Sequence, residues 1–219
     1  MTPKEISIII PTLNEEKTIS QCLETVVNIP GIEIIVSDGG STDSTVEIAG
    51  QHSDVKVVSS LAGRSIQMNN RAACAGGEIL LFLHADCILS REDILKVRQI
   101  FDSGKFVGGA FQIRLLSDKF TYRWLEMGIN FRSKAFKLPY GDQGLFVKRS
   151  IFERLGGFRE MPICEDLDFV YRLRRKYGEI AILNGRISSS VRTWKNRGIF
   201  RTSFRNQLLL YSYMIRQKV

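Results

Sequence analysis

Four short apolar, β-branched runs punctuate the first 86 residues, and three of them end in a polar cluster. Residues 5–10 (EISIII), 32–37 (IEIIVS), 55–60 (VKVVSS) and 78–83 (EILLFL) read as buried strands. Between them, 15–27, 44–51 and 64–75 read as helices. Asn14 is the expected N-cap of the first, and Gly76-Gly77 ends the last. Strands alternating with helices in this way call for a parallel sheet with helices on its faces. Ligands of such sheets bind beyond the carboxyl ends of the strands. Pro11–Glu15, Asp38–Asp43 and His84–Asp86 are all expected there, which places three polar clusters along one sheet edge.

After residue 90 the pattern changes. Residues 92–101 read as a helix and 107–115 as a strand, with Gly108-Gly109 marking a bulge or a close backbone approach. Residues 118–136 are aromatic and helical in pattern. A Gly-rich turn and a strand follow over 138–147, and a short helix over 149–155 ends at Gly156-Gly157. Residues 164–177 open with acids and close with Arg172, Arg174, Arg175 and Lys176, the polarity that complements a helix dipole. A strand at 180–183 and a basic, aromatic segment complete the chain.

The turn after the first strand is Pro-Thr-Leu-Asn-Glu and carries no glycine, which excludes a dinucleotide fingerprint; a Walker A sequence is also absent. The Gly-rich turn instead follows the second strand and holds Asp38 and Asp43, carboxylates suited to a ribose or a base N–H. His84 and Asp86, two residues apart at the end of a strand, are expected on one face. Two such side chains suit a divalent cation carrying a diphosphate, or else a structural hydrogen bond. Glu165-Asp166 opens a helix, where acids serve the dipole or act as a general base. Consecutive helical residues differ in direction by about 100°, so one can face a cleft while the other caps. Asp142 and Asp168 keep that choice open.

The stretches ISIIIPTLNEE, VSDGGSTDST, GEILLFLHAD, YGDQGLFVKR and CEDLDFVYRL, in this order, resemble the family 2 glycosyltransferases, and most of all the small bacterial members bearing LHAD and GDQG. The resemblance implies an α/β fold: a single A-type glycosyltransferase (Rossmann-like) domain, a mostly parallel central sheet with helices on both faces. Residues 1–185 would form it, with 186–219 packed on or extending it. The implied reaction is inverting transfer of a sugar from a nucleotide diphosphate sugar, UDP favoured, to a hydroxyl acceptor. Pro11, Thr12, Asn14, Glu15 and Ala85 would line the nucleotide pocket, Asp38 would hold uracil or ribose, and Gly39 and Gly40 would let the backbone approach it. Asp86, with His84 in place of the usual first acid, would carry Mn²⁺ or Mg²⁺. Gly141, Asp142 and Gln143 would lie on the acceptor side. Asp166 would be the base, with Glu165 as runner-up. Arg64 would contact the diphosphate.

The net charge of +8 is unevenly spread: residues 171–219 carry +11 and residues 1–170 carry −3. Within the basic segment Arg192, Trp194 and Arg197 are candidates for a lid over the diphosphate. The segment also suits a membrane surface, and the run LLLYSYMI (208–215) suits a membrane or a second copy of the chain. Basic residues interleaved with aromatics also fit nucleic acid. No recognisable nucleic-acid motif is present, however, and the acidic body would repel a phosphate backbone at the sheet edge. A nucleotide-sugar binder without turnover is the third class, disfavoured by the intact Glu165-Asp166 pair. Cys22, Cys74, Cys87 and Cys164 form no C-x-x-C pair and are expected as free thiols. The first apolar run is five residues long and ends at Pro11, and no run approaches the ~18 residues of a membrane span. The expected location is the cytoplasm, at the inner face of the membrane where the acceptor is lipid-linked.

Overall fold

The computed structural model describes residues 5–161 and 163–197. Residues 198–219, with the LLLYSYMI run, and the side chain of Arg197 lie outside the described residues. Among the described residues, eight strands form one sheet in the order β3-β2-β1-β4-β7-β6-β8-β5. The first four elements of that order are β3 (Val55–Ser59), β2 (Ile32–Asp38), β1 (Ile6–Thr12) and β4 (Ile79–Phe82), all mutually parallel. The remainder is mixed. β7 (Leu145–Lys148) runs antiparallel to β4 and to β6 (Gly108–Leu115), and β8 (Ile180–Ser189) runs parallel to β6. β5 (Cys87–Ile88) closes the edge against β8.

Both sheet faces are covered, which is why the central strands β1, β2 and β4 are buried along nearly their whole length. Ile6, Ile8 and Ile10 of β1 pack on one side with α1 (Ile19–Val26) and α4 (Arg91–Asp102). Ile9 packs on the other with α3 (Arg64–Ala72), α6 (Arg149–Leu155) and α7 (Glu165–Tyr177). The remaining α-helices among the described residues are α2 (Thr45–Gly50), α5 (Phe120–Phe136) and α8 (Arg192–Arg197). No helix among the described residues is long and apolar enough to cross a membrane. The four cysteines are free thiols, Cys22 and Cys87 buried and Cys74 exposed.

Several elements differ from the sequence reading. The first helix starts at Ile19 rather than 15, and Asn14 is not its cap but sits in the left-handed region at φ 55°. β1 continues through Pro11. The proline's missing N–H costs no ladder bond there, because β4 pairs β1 only as far as Ile9. Gly108 and Gly109 mark close approach: a Cβ on Gly109 would stand 2.5 Å from the Ala181 carbonyl oxygen. The bulge lies further along, between Phe111 and Gln112. It lets β8 step past Asn184-Gly185 and continue to Ser189, six residues beyond the expected end. The division expected at residue 185 therefore falls inside a strand.

Candidate active site

The loops after β1 and β2 are laced together by side chains. Asn14 donates its backbone N–H to Ser41 Oγ (2.9 Å) and accepts from the Thr42 N–H at Oδ1 (2.8 Å). Glu15 N–H bonds Thr45 Oγ1 at 2.7 Å, and Glu16 N–H bonds Asp43 at 3.2 Å. Asn tolerates the left-handed backbone that this crossing needs. Asp38, buried at the end of β2, accepts from the Gly40 and Ser41 amides and the Ser41 and Thr12 hydroxyls. Burial pushes its carboxyl up, but the hydrogen bonds from Ser41, Gly40 and Thr12 outweigh it and hold the pKa below the ordinary value. A residue that sequence reasoning missed binds the two strand ends from behind. Gln67 of α3 donates from Nε2 to the carbonyls of Thr12 (2.8 Å) and Ser37 (2.7 Å). A polar residue on a helical face carries no sequence signal for that role.

A pocket of about 860 Å³ opens beyond these strand ends. Pro11, Thr12, Glu15, Arg64, His84, Ala85, Asp86, Asp142, Glu165, Asp166, Arg192 and Trp194 line it, as do Tyr140, Ser189 and Ser190, which were not anticipated. Asn14, Asp38, Gly39, Gly40, Gly141 and Gln143 do not line it. Gln143 is fully buried, and its amide holds Ser133, the Tyr140 N–H and the Phe111 carbonyl in place. It is a framework residue of the turn, set back from the pocket.

The acids of α7 separate cleanly. Asp168 is 1 % exposed and salt-bridged to Arg172 (2.6 Å) and Arg159 (3.3 Å). Glu165 is buried and pairs with Arg64 at 3.2 Å. Burial and the adjacent Asp166 raise its pKa, while Arg64 lowers it. Asp166 faces the pocket, with one oxygen bonded by the Gly141 amide and the other by the Leu167 amide at 2.7 Å. Under this end of α7, Phe169 packs on Phe158 and Phe152, which pack on Phe82 of β4. That aromatic cluster fixes the helix on the sheet. Asp142 stands beside this acid; its Oδ1 is buried without a hydrogen-bond partner among the described residues. Burial, then the charge of Asp166, push its carboxyl up to about 6, against the pull of Arg132.

The strand that would have set His84 and Asp86 on one face ends at Phe82, and Ala85-Asp86 is a turn closed by Cys87 N–H to the His84 carbonyl at 3.0 Å. The two side chains consequently meet different neighbours. His84 borders Gly141 and feels Arg64; burial and that cation push its pKa down to about 3, so the ring is neutral. Asp86 is raised by burial and by the Glu15 carboxylate and lowered by Arg192, which donates to Glu15 at 2.7 and 2.9 Å. Among the described residues no group of three or more His, Cys, Asp or Glu is arranged to hold a metal ion. Asp86, an oxygen ligand open to the pocket with the Glu15 carboxylate near, would suit a hard divalent cation. At the lid segment, Trp194 is 9 % exposed and anchored in the core, leaving Arg192 at the pocket edge.

An open α/β sheet with this pocket at its strand ends is the architecture of the A-type glycosyltransferases. Staphylococcus aureus TarS 1–349 in complex with UDP-GlcNAc superposes with a TM-score of 0.69 at 18% identity, over 85% of this chain and 58% of that one. The mannosyltransferase PcManGT from Pyrobaculum calidifontis, in complex with GDP-Man and Mn²⁺, gives 0.68 at 20% identity, over 85% and 57%. The model of glycosyl transferase family 2 matches residues 7–207, and the chain belongs to that family. Among its relatives, the beta-monoglucosyldiacylglycerol synthase of Nostoc sp. is 25% identical over 88% of this chain and 47% of that protein. A PGL/p-HBAD biosynthesis glycosyltransferase of Mycobacterium bovis is 27% identical over 78% and 70%. The chain spans about half the length of the first of these relatives.

Proposed function

We propose that the protein transfers a sugar from a nucleoside diphosphate sugar, UDP-linked, to a hydroxyl of a lipid-linked acceptor, with inversion. The LHAD- and GDQG-bearing subgroup is our assignment within the family. The observation that carries the mechanism is the setting of Asp166. Of the three acids that open α7, it is the one without a salt bridge in the described structure, and two backbone amides orient its carboxylate toward the pocket. Each of its oxygens keeps a lone pair for an incoming proton.

In the proposed step the acceptor oxygen forms a bond to the anomeric carbon as the bond from that carbon to the diphosphate oxygen breaks. The acceptor proton passes to Asp166, and the nucleoside diphosphate leaves with the bonding pair. Arg64 and the amino end of α3, which both border the pocket, stand ready for the growing negative charge. Arg192 holds Glu15 at the same wall. Asp86 would hold the divalent cation, with Glu15 beside it. Such an ion, when bound, neutralises diphosphate charge and assists its departure. His84 is better suited to packing against Gly141 than to ligating that ion.

Two features support a lipid-linked acceptor. A relative is named for diacylglycerol glucosylation. The pocket rim is also apolar, with Leu13 and Ile163 each 47% exposed beside Met161. The cytoplasmic face of a membrane is the proposed location. The test is hydrolysis and transfer across a panel of UDP- and GDP-sugars, with and without Mn²⁺, beside thermal shifts with UDP, GDP and single-stranded oligonucleotides. Release of UDP from one sugar, enhanced by a lipid acceptor, is expected. Nucleotide binding without turnover would leave a sugar-nucleotide binder, and stabilisation by the oligonucleotide alone would overturn the reading.

A further inference from the structure

α5 packs Tyr122, Leu125 and Ile129 on the core. Its inner face also carries polar groups that complete the edge of β6 where β7 no longer pairs. Asn130 accepts from the Ile113 N–H (2.8 Å) and donates to the Ile113 carbonyl (2.9 Å), and Glu126 accepts from the Leu115 N–H (3.2 Å). Its outer face carries the aromatics. Phe120, Trp124, Met127 and Phe131 are 72, 61, 61 and 68% exposed. Their spacing of four, three and four residues aligns them in one stripe about 16 Å long. Phe120 and Trp124 meet edge to face at 6.0 Å. At ~150–250 Å² per large side chain, the stripe presents roughly 400–600 Å² of apolar surface, the scale of an interaction site.

The charges around the stripe have one dominant sign. The single acid within α5, Glu126, is buried and ion-paired with Arg123 at 2.6 Å. Lys119 precedes the helix, Lys134 is exposed in its last turn, and Lys137 follows it; Asp118 is the acid at the near end. Aromatics and Met on the outer face with lysines at both ends match a bilayer interface with anionic headgroups. A second copy of the chain is a poorer occupant. The stripe falls short of the ~800 Å² per partner of a stable dimer, and it would set lysine against lysine.

We propose that the outer face of α5 seats the protein on an anionic membrane. Phe120, Trp124, Met127 and Phe131 enter the interfacial region, and Lys119, Lys134 and Lys137 meet the headgroups. Residues 137–140 then lead from the seated helix to Tyr140, a wall of the pocket, and Arg132 on the inner face stacks on that ring at 3.6 Å. The stripe itself lies outside the pocket. Vesicle binding and sugar transfer are separate measurements, so either proposal can fail without the other.

The full chain is tested by co-sedimentation with vesicles of phosphatidylcholine alone and of phosphatidylcholine with phosphatidylglycerol. Binding to the second is expected, at least tenfold weaker on the first, with Trp124 emission moving to shorter wavelength. Trp124→Phe should remove that shift, because Trp194 is already buried. Trp124→Ser with Phe131→Ser should weaken vesicle binding at least tenfold with an unchanged thermal melt, since both side chains are exposed. Residues 198–219 are present in both proteins and cancel in the comparison. No binding by the wild type, or equal binding by the double variant, would overturn the proposal. So would a wild-type dimer that the double variant abolishes while both bind vesicles alike.

Discussion

On the β1–β3 side of the sheet, Asp38 accepts four hydrogen bonds from its own turn and the neighbouring strand. On the β6–β8 side, Asp142 keeps a buried oxygen with no hydrogen-bond partner among the described residues, and Arg132 behind it keeps two buried nitrogens the same way. The two aspartates are shifted in opposite directions, Asp38 below and Asp142 above the ordinary carboxylate range. Buried polar groups are normally satisfied, because leaving one unpaired costs about 1–3 kcal/mol. The first region therefore behaves as scaffold: its polar groups hold the strand ends in a fixed shape. The second leaves hydrogen-bonding atoms of Asp142 and Arg132 unpaired among the described residues, beside the proposed base.

The strongest way to break this contrast is at the base itself. Asp166→Asn should lower transfer by ~10²–10⁴-fold while donor affinity, read by calorimetry with UDP, stays near wild type. Wild-type turnover in this variant would remove Asp166 from the mechanism. Gly141→Ala should come next. A methyl there would stand 3.1 Å from Asp166 Oδ2 and 3.2 Å from His84 Nε2, so the carboxylate must move. Misplacement of a reacting group by 1 Å costs about 10²-fold, so the few tenths of an ångström required here should cost less than that. The loss should appear in kcat, with the melting temperature little changed. A loss confined to donor KM would instead give the turn a role in donor binding.

The same contrast explains how much the sequence disclosed. PTLNEE and DGGSTDST were legible as a site because each sits at a strand end and the strands are apolar enough to read. What escaped was that the two loops bind each other. Asn14 looked like a cap for its own helix, but its partners Ser41 and Thr42 are 27 and 28 residues away. Spacing arguments assume local geometry; the strand expected to carry His84 and Asp86 stops at Phe82, and it is a turn that brings both to the pocket. In the other half the limit was topological. Asn184-Gly185 reads as the end of a strand, yet a bulge carries β8 past it and brings Ser189, Ser190 and Arg192 to the pocket. Asp142 and Asp166 were both named from the sequence. That one would be solvated by backbone amides and the other left bare depends on long-range packing.

Within the scaffold half, Asp38→Ala should destabilise the fold by about 2–3 kcal/mol, because it strips partners from two amides and two hydroxyls near the buried strand end. Denaturant titration would measure it. The wild-type contribution from Asp38 has a definite pH sense. Its folded pKa is depressed, so the stability is present above the unfolded pKa and is lost as pH falls through the folded one. A variant as stable as wild type at neutral pH would show that the turn does not depend on this carboxylate.

Asp142 should show the opposite sign with a smaller amplitude. Its folded pKa, about 6, lies above the unfolded value of 3.8. Its contribution is therefore full below the unfolded pKa and lost as pH rises through the folded one. Ionising it at neutral pH costs stability, in proportion to the shift. After allowance for the partial exposure of the residue, that cost is ~1–2 kcal/mol. Asp142→Asn removes the ionisation and should raise stability by that amount at pH 8, with the gain fading to nothing near pH 4. Asp38→Ala changes in the other direction over the acid range, so the two variants measured together separate a carboxylate that builds the fold from one the fold merely tolerates. If Asp142→Asn gains stability and loses transfer, the unpartnered oxygen is held at the expense of the fold for the reaction. If it gains stability and keeps full transfer, the bare carboxylate serves neither, and Asp166 alone distinguishes the second half of the site from the first.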